Sequence, residues 1–123
     1  MYEISVQKHI DAAHFLRGYL GKCEAVHGHR FLIVAKIAAK ELNEIGIAYD
    51  FAELKQHLSE ILAKYDHTCL NDVPPFKKTN PSSENLAAAI YKELKKKLAG
   101  APVALTAIEV WESPQTWVTY RPD

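Results

Sequence analysis

The sequence of 123 residues has little cysteine, little methionine, no net charge and no long apolar run. Because 15 basic residues balance 15 acidic ones, it lacks the basic footprint of a nucleic-acid-binding protein, and we expect no nucleic-acid partner. No run approaches the roughly 18 apolar residues of a membrane span, so we expect no membrane partner. At 48% hydrophobic residues, the composition also excludes a disordered chain.

The sequence also lacks the features of a targeting signal and of a disulfide-bonded protein. The first residues, Met1 to Val6, lack the basic and apolar regions of a signal peptide, which predicts a cytoplasmic protein. Thiols stay reduced in that compartment. The two cysteines, Cys23 and Cys69, are therefore interpreted as free thiols, metal ligands or nucleophiles before they are interpreted as a disulfide.

The hydrophobic pattern predicts one α+β domain over residues 1–123, without repeats or linkers. Strands are expected at residues 2–14, 31–38, 103–111 and 116–120, with a helix at 51–65 capped by Asp50. A second helix begins after Ser82 or Ser83 and ends before Gly100. The order β-β-α-α-β-β predicts a four-stranded antiparallel sheet with both helices on one face. Such a sheet has open edges that a partner subunit can cover.

The strongest chemical signal is Cys23-Glu-Ala-Val-His27-Gly-His29. On an extended segment, residues i and i+2 point to the same face, so His27 and His29 would present two imidazoles to one metal ion. His14, at the end of the first strand, is the best candidate for a third ligand. Three histidines leave one position of a tetrahedral zinc open, as in catalytic sites, whereas a fourth ligand from Cys23 would make a closed structural site. The spacing leaves both alternatives open, and two surface histidines beside a turn glycine remain a third.

Two further signals are weaker. Asp66-His67 follows the first predicted helix, and a histidine beside a carboxylate can act as a general base or orient one. Alone, such a pair is usually a polar helix end. Glu112 ends an apolar strand, where its carboxylate could grip a guanidine-like edge through two parallel hydrogen bonds, although an exposed strand-end glutamate is the simpler interpretation.

Six motifs occur together in a fixed order along nearly the whole chain. They are Ala-Ala-His14, Cys23-x₃-His27-Gly-His29, Asp50-Phe51-Ala-Glu-Leu-Lys, Asp66-His67-x₂-Leu70-Asn71-Asp72, Asn80-Pro81-Ser82-Ser83-Glu84 and Glu112. This combination resembles the 6-pyruvoyl-tetrahydropterin synthase family, and most closely its queuosine-pathway branch, the 6-carboxy-tetrahydropterin synthases. One departure is Tyr65, where leucine is usual before Asp-His.

The resemblance implies a tunnelling fold (T-fold), in which subunits close a barrel, commonly as a hexamer made of two trimers. It implies one zinc ion per subunit, held by His14, His27 and His29, and Cys23 as the catalytic base with Asp66 and His67 as relay partners. It assigns Glu112 to the pterin ring and places Ser83 and Glu84 at the neighbouring substrate-binding segment. Because sites of the family lie between subunits, Asp66 and His67 could serve the Cys23 of a neighbouring subunit.

The function implied is a zinc-dependent lyase that converts 7,8-dihydroneopterin triphosphate into 6-carboxy-tetrahydropterin, acetaldehyde and triphosphate in queuosine biosynthesis. Three residues separate Cys23 from His27, as in the queuosine branch, whereas the animal pyruvoyl-forming enzymes have five there. Two alternatives stay open. One is a 6-pyruvoyl-tetrahydropterin synthase acting on the same substrate, and the other is a non-catalytic binding module stabilised by zinc.

Overall fold

The computed structural model describes residues 1–18 and 25–123 of the chain. Its elements follow in the order β1 (Tyr2–His14), β2 (His27–Ala39), α1 (Phe51–Leu62), β3 (Thr68–Cys69), α2 (Ser83–Lys97), β4 (Ala104–Ser113) and β5 (Thr116–Tyr120). One turn of 3-10 helix, Leu70–Asp72, follows β3. The predicted α+β order of four long strands and two helices is confirmed. Within the described ranges, no helix is long and apolar enough to cross a bilayer.

The sheet has one strand more than the predicted four. The strand order is β3-β1-β2-β4-β5, and all neighbours are antiparallel except β3, which runs parallel to β1 beside Ala12 and Ala13. A strand of two residues shows no alternation of polar and apolar residues, so the sequence pattern could not predict it. Its position matters because Asp66 and His67 directly precede it.

Two element boundaries differ from the prediction by three or four residues. β2 begins at His27 rather than Phe31, because its pairing with β1 continues to the His14–His27 pair. α1 ends at Leu62 rather than at residue 65, although Tyr65 remains fully buried. The Tyr65 hydroxyl donates a hydrogen bond to Glu93 of α2 at 3.0 Å. The apolar pattern therefore identified the buried tyrosine correctly but extended the helix by one turn.

Both helices pack on one face of the sheet, as predicted. Asp50 and Ser82 cap them, each accepting a hydrogen bond from a backbone N–H of the first turn. Alternate residues of the central strands and the buried stripes of the helices form one core, which includes Val6, Ile10, Phe31, Ile33, Ala35, Ile37, Leu54, Leu58, Leu62, Leu86, Ile90, Leu94, Ile108 and Val110. Antiparallel pairing puts even-numbered β1 residues beside odd-numbered β2 residues, so this face is continuous across the sheet.

The opposite face of the sheet carries a different set of side chains. Lys36 of β2 pairs with Glu109 of β4 at 3.0 Å, and the Trp111 indole N–H donates to Glu109 at 2.9 Å. The Trp111 ring stacks on Trp117 of β5, with ring centroids 3.9 Å apart. Trp117 remains 50% exposed. This face therefore presents an aromatic pair and an ion pair that no helix of the described chain covers.

We expect Leu58→Ala to destabilise the fold by about 2–5 kcal/mol, because it leaves a cavity where α1 meets the sheet. Lys55→Ala, on the exposed side of the same helix, is the control and should change the free energy of unfolding by no more than about 0.5 kcal/mol. Urea denaturation followed by circular dichroism measures both. Equal destabilisation by the two variants would contradict the assignment of this helix face to the core.

Candidate metal and pterin site

Three histidines meet at one end of the sheet, on the face that the helices cover. His14 lies directly opposite His27 in the β1–β2 ladder, and His29 follows two residues along β2. The ring centroids are 4.6 Å apart for His14 and His27, 4.7 Å for His27 and His29, and 5.4 Å for His14 and His29. The structure therefore brings together the three side chains that the sequence predicts as metal ligands.

The carboxylate of Glu112 joins this cluster from β4. Its Oε1 atom lies 3.2 Å from Nε2 of His14 and 3.0 Å from Nε2 of His29. The resemblance assigns Glu112 to the pterin ring, and no sequence motif indicates that its carboxylate would also lie against the histidines. That proximity depends on the register of β4 against β2, which sequence alone does not reveal.

Backbone carbonyls fix the orientation of two of the imidazoles. His14 Nδ1 lies 2.8 Å from the Pro81 carbonyl oxygen, and His27 Nδ1 lies 2.8 Å from that of Ala25. A carbonyl oxygen only accepts hydrogen bonds, so both Nδ1 atoms carry the proton. In the neutral imidazoles the Nε2 atoms then present lone pairs, as metal-ligating histidines do when a carbonyl holds the other nitrogen.

The surroundings of His29 favour its neutral imidazole. Burial lowers the pKa of the His29 imidazole, against the opposing charge of Glu112, and the other two imidazoles of the cluster lower that pKa further. Nε2 of His29 is buried and makes no hydrogen bond within the described part of the chain. Nε2 of His14 lies within hydrogen-bond distance of Glu112 Oε1. Nε2 of His29 faces the same carboxylate without a hydrogen bond, which is an unfavourable arrangement unless a cation joins the two atoms.

This donor set fits a metal ion. One ligand atom from each of His14, His27, His29 and Glu112 lies within 4.8 Å of the others. Imidazole nitrogen and carboxylate oxygen are both zinc ligands, and zinc sites commonly have four ligands in tetrahedral geometry. These four residues could therefore hold zinc with no ligand from the segment at residues 19–24.

A cavity of about 210 Å³ lies beside the histidines. It is lined by His14, Glu112, the start of α2 and the first residues of β5. Ser83 is 8% exposed, and its hydroxyl oxygen has no hydrogen-bond partner in the described chain. The predicted substrate-binding residues Ser83, Glu84 and Glu112 thus line one cavity, and the buried Ser83 hydroxyl is left available to a ligand.

Asp66 and His67 form a separate group at the β3 edge. Asp66 Oδ1 accepts a hydrogen bond from the Asp11 backbone N–H at 2.8 Å and lies 3.1 Å from His67 Nδ1. The hydrogen bond from the Asp11 N–H is the largest influence on the pKa of the Asp66 carboxyl and lowers it. Burial opposes this effect, and His67 lowers the pKa further. Asp66 therefore stays ionised and orients the His67 ring.

The backbone of His67 turns its side chain outward. Its φ of 59° lies in the left-handed region, which costs a non-glycine residue on the order of 1–3 kcal/mol. Its side chain is 77% exposed, so the imidazole points away from this chain's own core. Cys23, the predicted base, lies outside the described residues, so the structure gives no distance from its thiol to His67 or to the histidine cluster.

Known proteins resemble this chain over nearly its full length. Residues 3–123 match the family model of 6-pyruvoyl tetrahydropterin synthase. The 6-carboxy-5,6,7,8-tetrahydropterin synthase of Bacillus subtilis is 33% identical over 98% of this chain and 86% of its own. That of Synechocystis is 36% identical over 92% of this chain and 88% of its own.

A solved structure agrees with these sequence matches. The structure of Caenorhabditis elegans 6-pyruvoyl tetrahydropterin synthase is 28% identical, with a TM-score of 0.90 over 99% of this chain and 96% of its own. The subunit fold predicted from the resemblance is thereby confirmed. Since the family model covers nearly the full sequence and two relatives exceed 30% identity, this chain belongs to the 6-pyruvoyl tetrahydropterin synthase family.

Proposed function

We propose that the protein is a zinc-dependent carbon–carbon lyase of queuosine biosynthesis. It would convert 7,8-dihydroneopterin triphosphate into 6-carboxy-tetrahydropterin, acetaldehyde and triphosphate. The observation that carries the proposal is the cluster of His14, His27 and His29 beside Glu112 and next to the cavity at the start of α2. Relatives at 33% and 36% identity bear the name of this activity.

The three histidines would hold the zinc ion, and the orientation of His14 and His27 by backbone carbonyls suits that role. Bound there, zinc supplies Lewis-acid stabilisation of negative charge that develops on the substrate's side-chain oxygens. Glu112 lies between the histidines and the cavity, where its carboxylate would accept hydrogen bonds from the amino and ring N–H edge of a pterin. The Ser83 hydroxyl, and Glu84 beside it, would complete the binding of that ring.

Proton removal is assigned to Cys23. A thiolate next to zinc and a histidine has a lowered pKa and can take a proton at neutral pH. His67, held in place by Asp66, would accept or return that proton. A base of this kind requires a reduced thiol, which agrees with the cytoplasmic location proposed from the sequence.

One chain supplies an incomplete site, which favours a homo-oligomer. The cavity of about 210 Å³ is smaller than the 300–1,000 Å³ typical of small-molecule pockets, and the exposed His67 faces away from this chain's core. The sheet ends in two unlike edges, β5 on one side and β1 with β3 on the other. Unlike edges associate head to tail and can close a ring. We infer a trimeric barrel with sites between subunits, paired into a hexamer.

A 6-pyruvoyl-tetrahydropterin synthase remains the second candidate. The observation in its favour is the match to the Caenorhabditis elegans enzyme of that name, which has the same fold at 28% identity. The three residues between Cys23 and His27 favour the carboxy-forming branch, because a shorter connection would hold the sulfur differently over the substrate side chain. Both activities start from the same substrate, so the products distinguish them.

His27 is one of the three proposed zinc ligands. His27→Ala should abolish stoichiometric zinc binding and activity together, because it removes one of three nitrogen ligands. His9→Ala, which removes an exposed histidine from β1 far from the cluster, is the matched control and should retain both. Zinc content after dialysis, measured by atomic absorption, decides the outcome. Full zinc occupancy in His27→Ala would show that the ligands are assigned wrongly.

Replacing Cys23 distinguishes a catalytic zinc site from a closed structural zinc site. Cys23→Ala should lower kcat by about 10²–10⁴, the usual effect of removing a general base, and should leave zinc bound. Cys69→Ala is the control for loss of a thiol and should keep both activity and zinc. Loss of zinc in Cys23→Ala would instead identify the sulfur as a fourth ligand and favour the non-catalytic binding module.

The product assay tests the proposed reaction directly. Zinc-loaded protein incubated with 7,8-dihydroneopterin triphosphate should release acetaldehyde in equal amount to 6-carboxy-tetrahydropterin, measured by hydrazone trapping and liquid chromatography. The Cys23→Ala variant is the background control. Formation of 6-pyruvoyl-tetrahydropterin without acetaldehyde would assign the chain to the second candidate function.

A further inference from the structure

The segment that follows β1 is tied to the rest of the chain by two asparagine side chains. The Asn71 amide accepts from the Phe15 N–H at 3.0 Å and donates to the Phe15 carbonyl at 3.1 Å. The Asn80 amide makes the same reciprocal pair with Arg17, at 2.9 and 3.0 Å. Each amide thus makes, with one residue of the segment, the pair of backbone hydrogen bonds that a neighbouring strand would otherwise make.

Arg17 adds a second attachment to the same loop. Its guanidinium donates to the backbone carbonyls of Phe76 at 3.1 Å, Lys77 at 3.0 Å and Thr79 at 3.3 Å. A guanidinium presents five N–H donors in a rigid plane, so one side chain can hold three carbonyls of a turn at once. We call Arg17 and Asn80 together the carbonyl clamp.

The clamped loop leads directly into the histidine cluster. Pro81, the next residue after Asn80, is buried, and its carbonyl is the oxygen that accepts from His14 Nδ1 at 2.8 Å. Because the carbonyl can only accept, it keeps Nδ1 of His14 protonated, and Nε2 of the same ring lies 3.2 Å from Oε1 of Glu112. The clamp therefore holds in place the group that keeps Nε2 of His14 directed at Glu112 and the other ligand atoms of the cluster.

We propose that Arg17 and Asn80 are positioning residues for the metal: by holding the Pro81 carbonyl on His14, they fix the orientation of the imidazole and raise the affinity for zinc. This rests on the metal site of the proposed function. The partners that hold a ligating histidine typically change metal affinity by about 10–100-fold when they are removed. Arg17 would act on His14 indirectly. Its guanidinium holds the backbone of the loop that leads to Pro81, and the Pro81 carbonyl contacts His14.

The experiment uses the variants Arg17→Ala, Arg17→Lys and Asn80→Ala. The control is Asn43→Ala, since the Asn43 side chain also holds two backbone N–H groups, of Ile45 and Ile47, in a turn remote from the histidines. The first measurement is the hydrogen bond from His14 Nδ1–H to the Pro81 carbonyl in metal-free protein, by long-range ¹H–¹⁵N correlation of the imidazole and exchange of its Nδ1 proton. The second is zinc affinity, by competition with a chromophoric chelator.

We expect the wild type and Asn43→Ala to show a protonated Nδ1 of His14 whose proton exchanges slowly. In Arg17→Ala and Asn80→Ala this proton should exchange faster, and zinc should bind about 10–100-fold more weakly. Arg17→Lys keeps the charge but loses the planar fork, so its affinity should lie between those of the wild type and Arg17→Ala. It also provides a folded variant should Arg17→Ala fail to fold.

Two results separate this proposal from the proposed function. Wild-type affinity and a slowly exchanging Nδ1 proton in Arg17→Lys and Asn80→Ala would overturn the role of the clamp and leave the metal site standing. A wild type that binds no zinc would overturn the metal site, and with it the effect on zinc affinity, while the Nδ1 proton of His14 in metal-free protein still reports whether the clamp orients the ring. Equal weakening in Asn43→Ala would show a general loss of stability and would also overturn the proposal.

Discussion

The antiparallel pairing of β1 with β2 is the constraint on which the rest of the structure depends. It runs without interruption from Tyr2–Ala39 to His14–His27, so the core at its centre and the histidines at its end share one register. In a sheet, a slip of one residue moves every side chain to the other face. Such a slip would expose Phe31 and Ile33 and would also separate His14 from the other imidazoles. Selection for a buried core therefore also maintains the candidate metal site.

The histidine cluster continues the hydrophobic core. The Phe31 ring, fully buried, contacts both His14 and His29, with centroids 5.4 and 5.5 Å apart. Packing against Phe31 and the contact of Nδ1 with the Pro81 carbonyl leave the His14 ring little freedom to rotate. Burial also favours the neutral form of His29, the form that ligates metals. The fold thus prepares the ligands before any metal arrives, which lowers the cost of ordering them on binding.

Sequence patterns predicted the features that depend on local periodicity. Alternation and helical spacing identified four long strands and both helices, and the capping residues Asp50 and Ser82 were recognised by their type. The patterns missed features that depend on long-range register. The parallel strand β3, the extension of β2 to His27 and the approach of Glu112 to the histidines all arise from pairing between distant segments. Asn80 was noticed only as part of a motif, because its partner Arg17 lies 63 residues away.

The distribution of the proposed catalytic groups follows from the open edges of the sheet. Glu112 ends β4 beside the β5 edge, whereas Asp66 and His67 are fixed to the backbone of β1 at the other edge. In a head-to-tail ring, the β5 edge of one copy meets the opposite edge of the next, so residues held apart within one chain come together between two chains. The outward turn of His67, which is strained in the single chain, directs its imidazole to solvent rather than to the core. Under the proposed assembly, the backbone pairing that removes the exposed edges would also complete the active site, and a subunit alone would bind zinc without being able to turn over substrate.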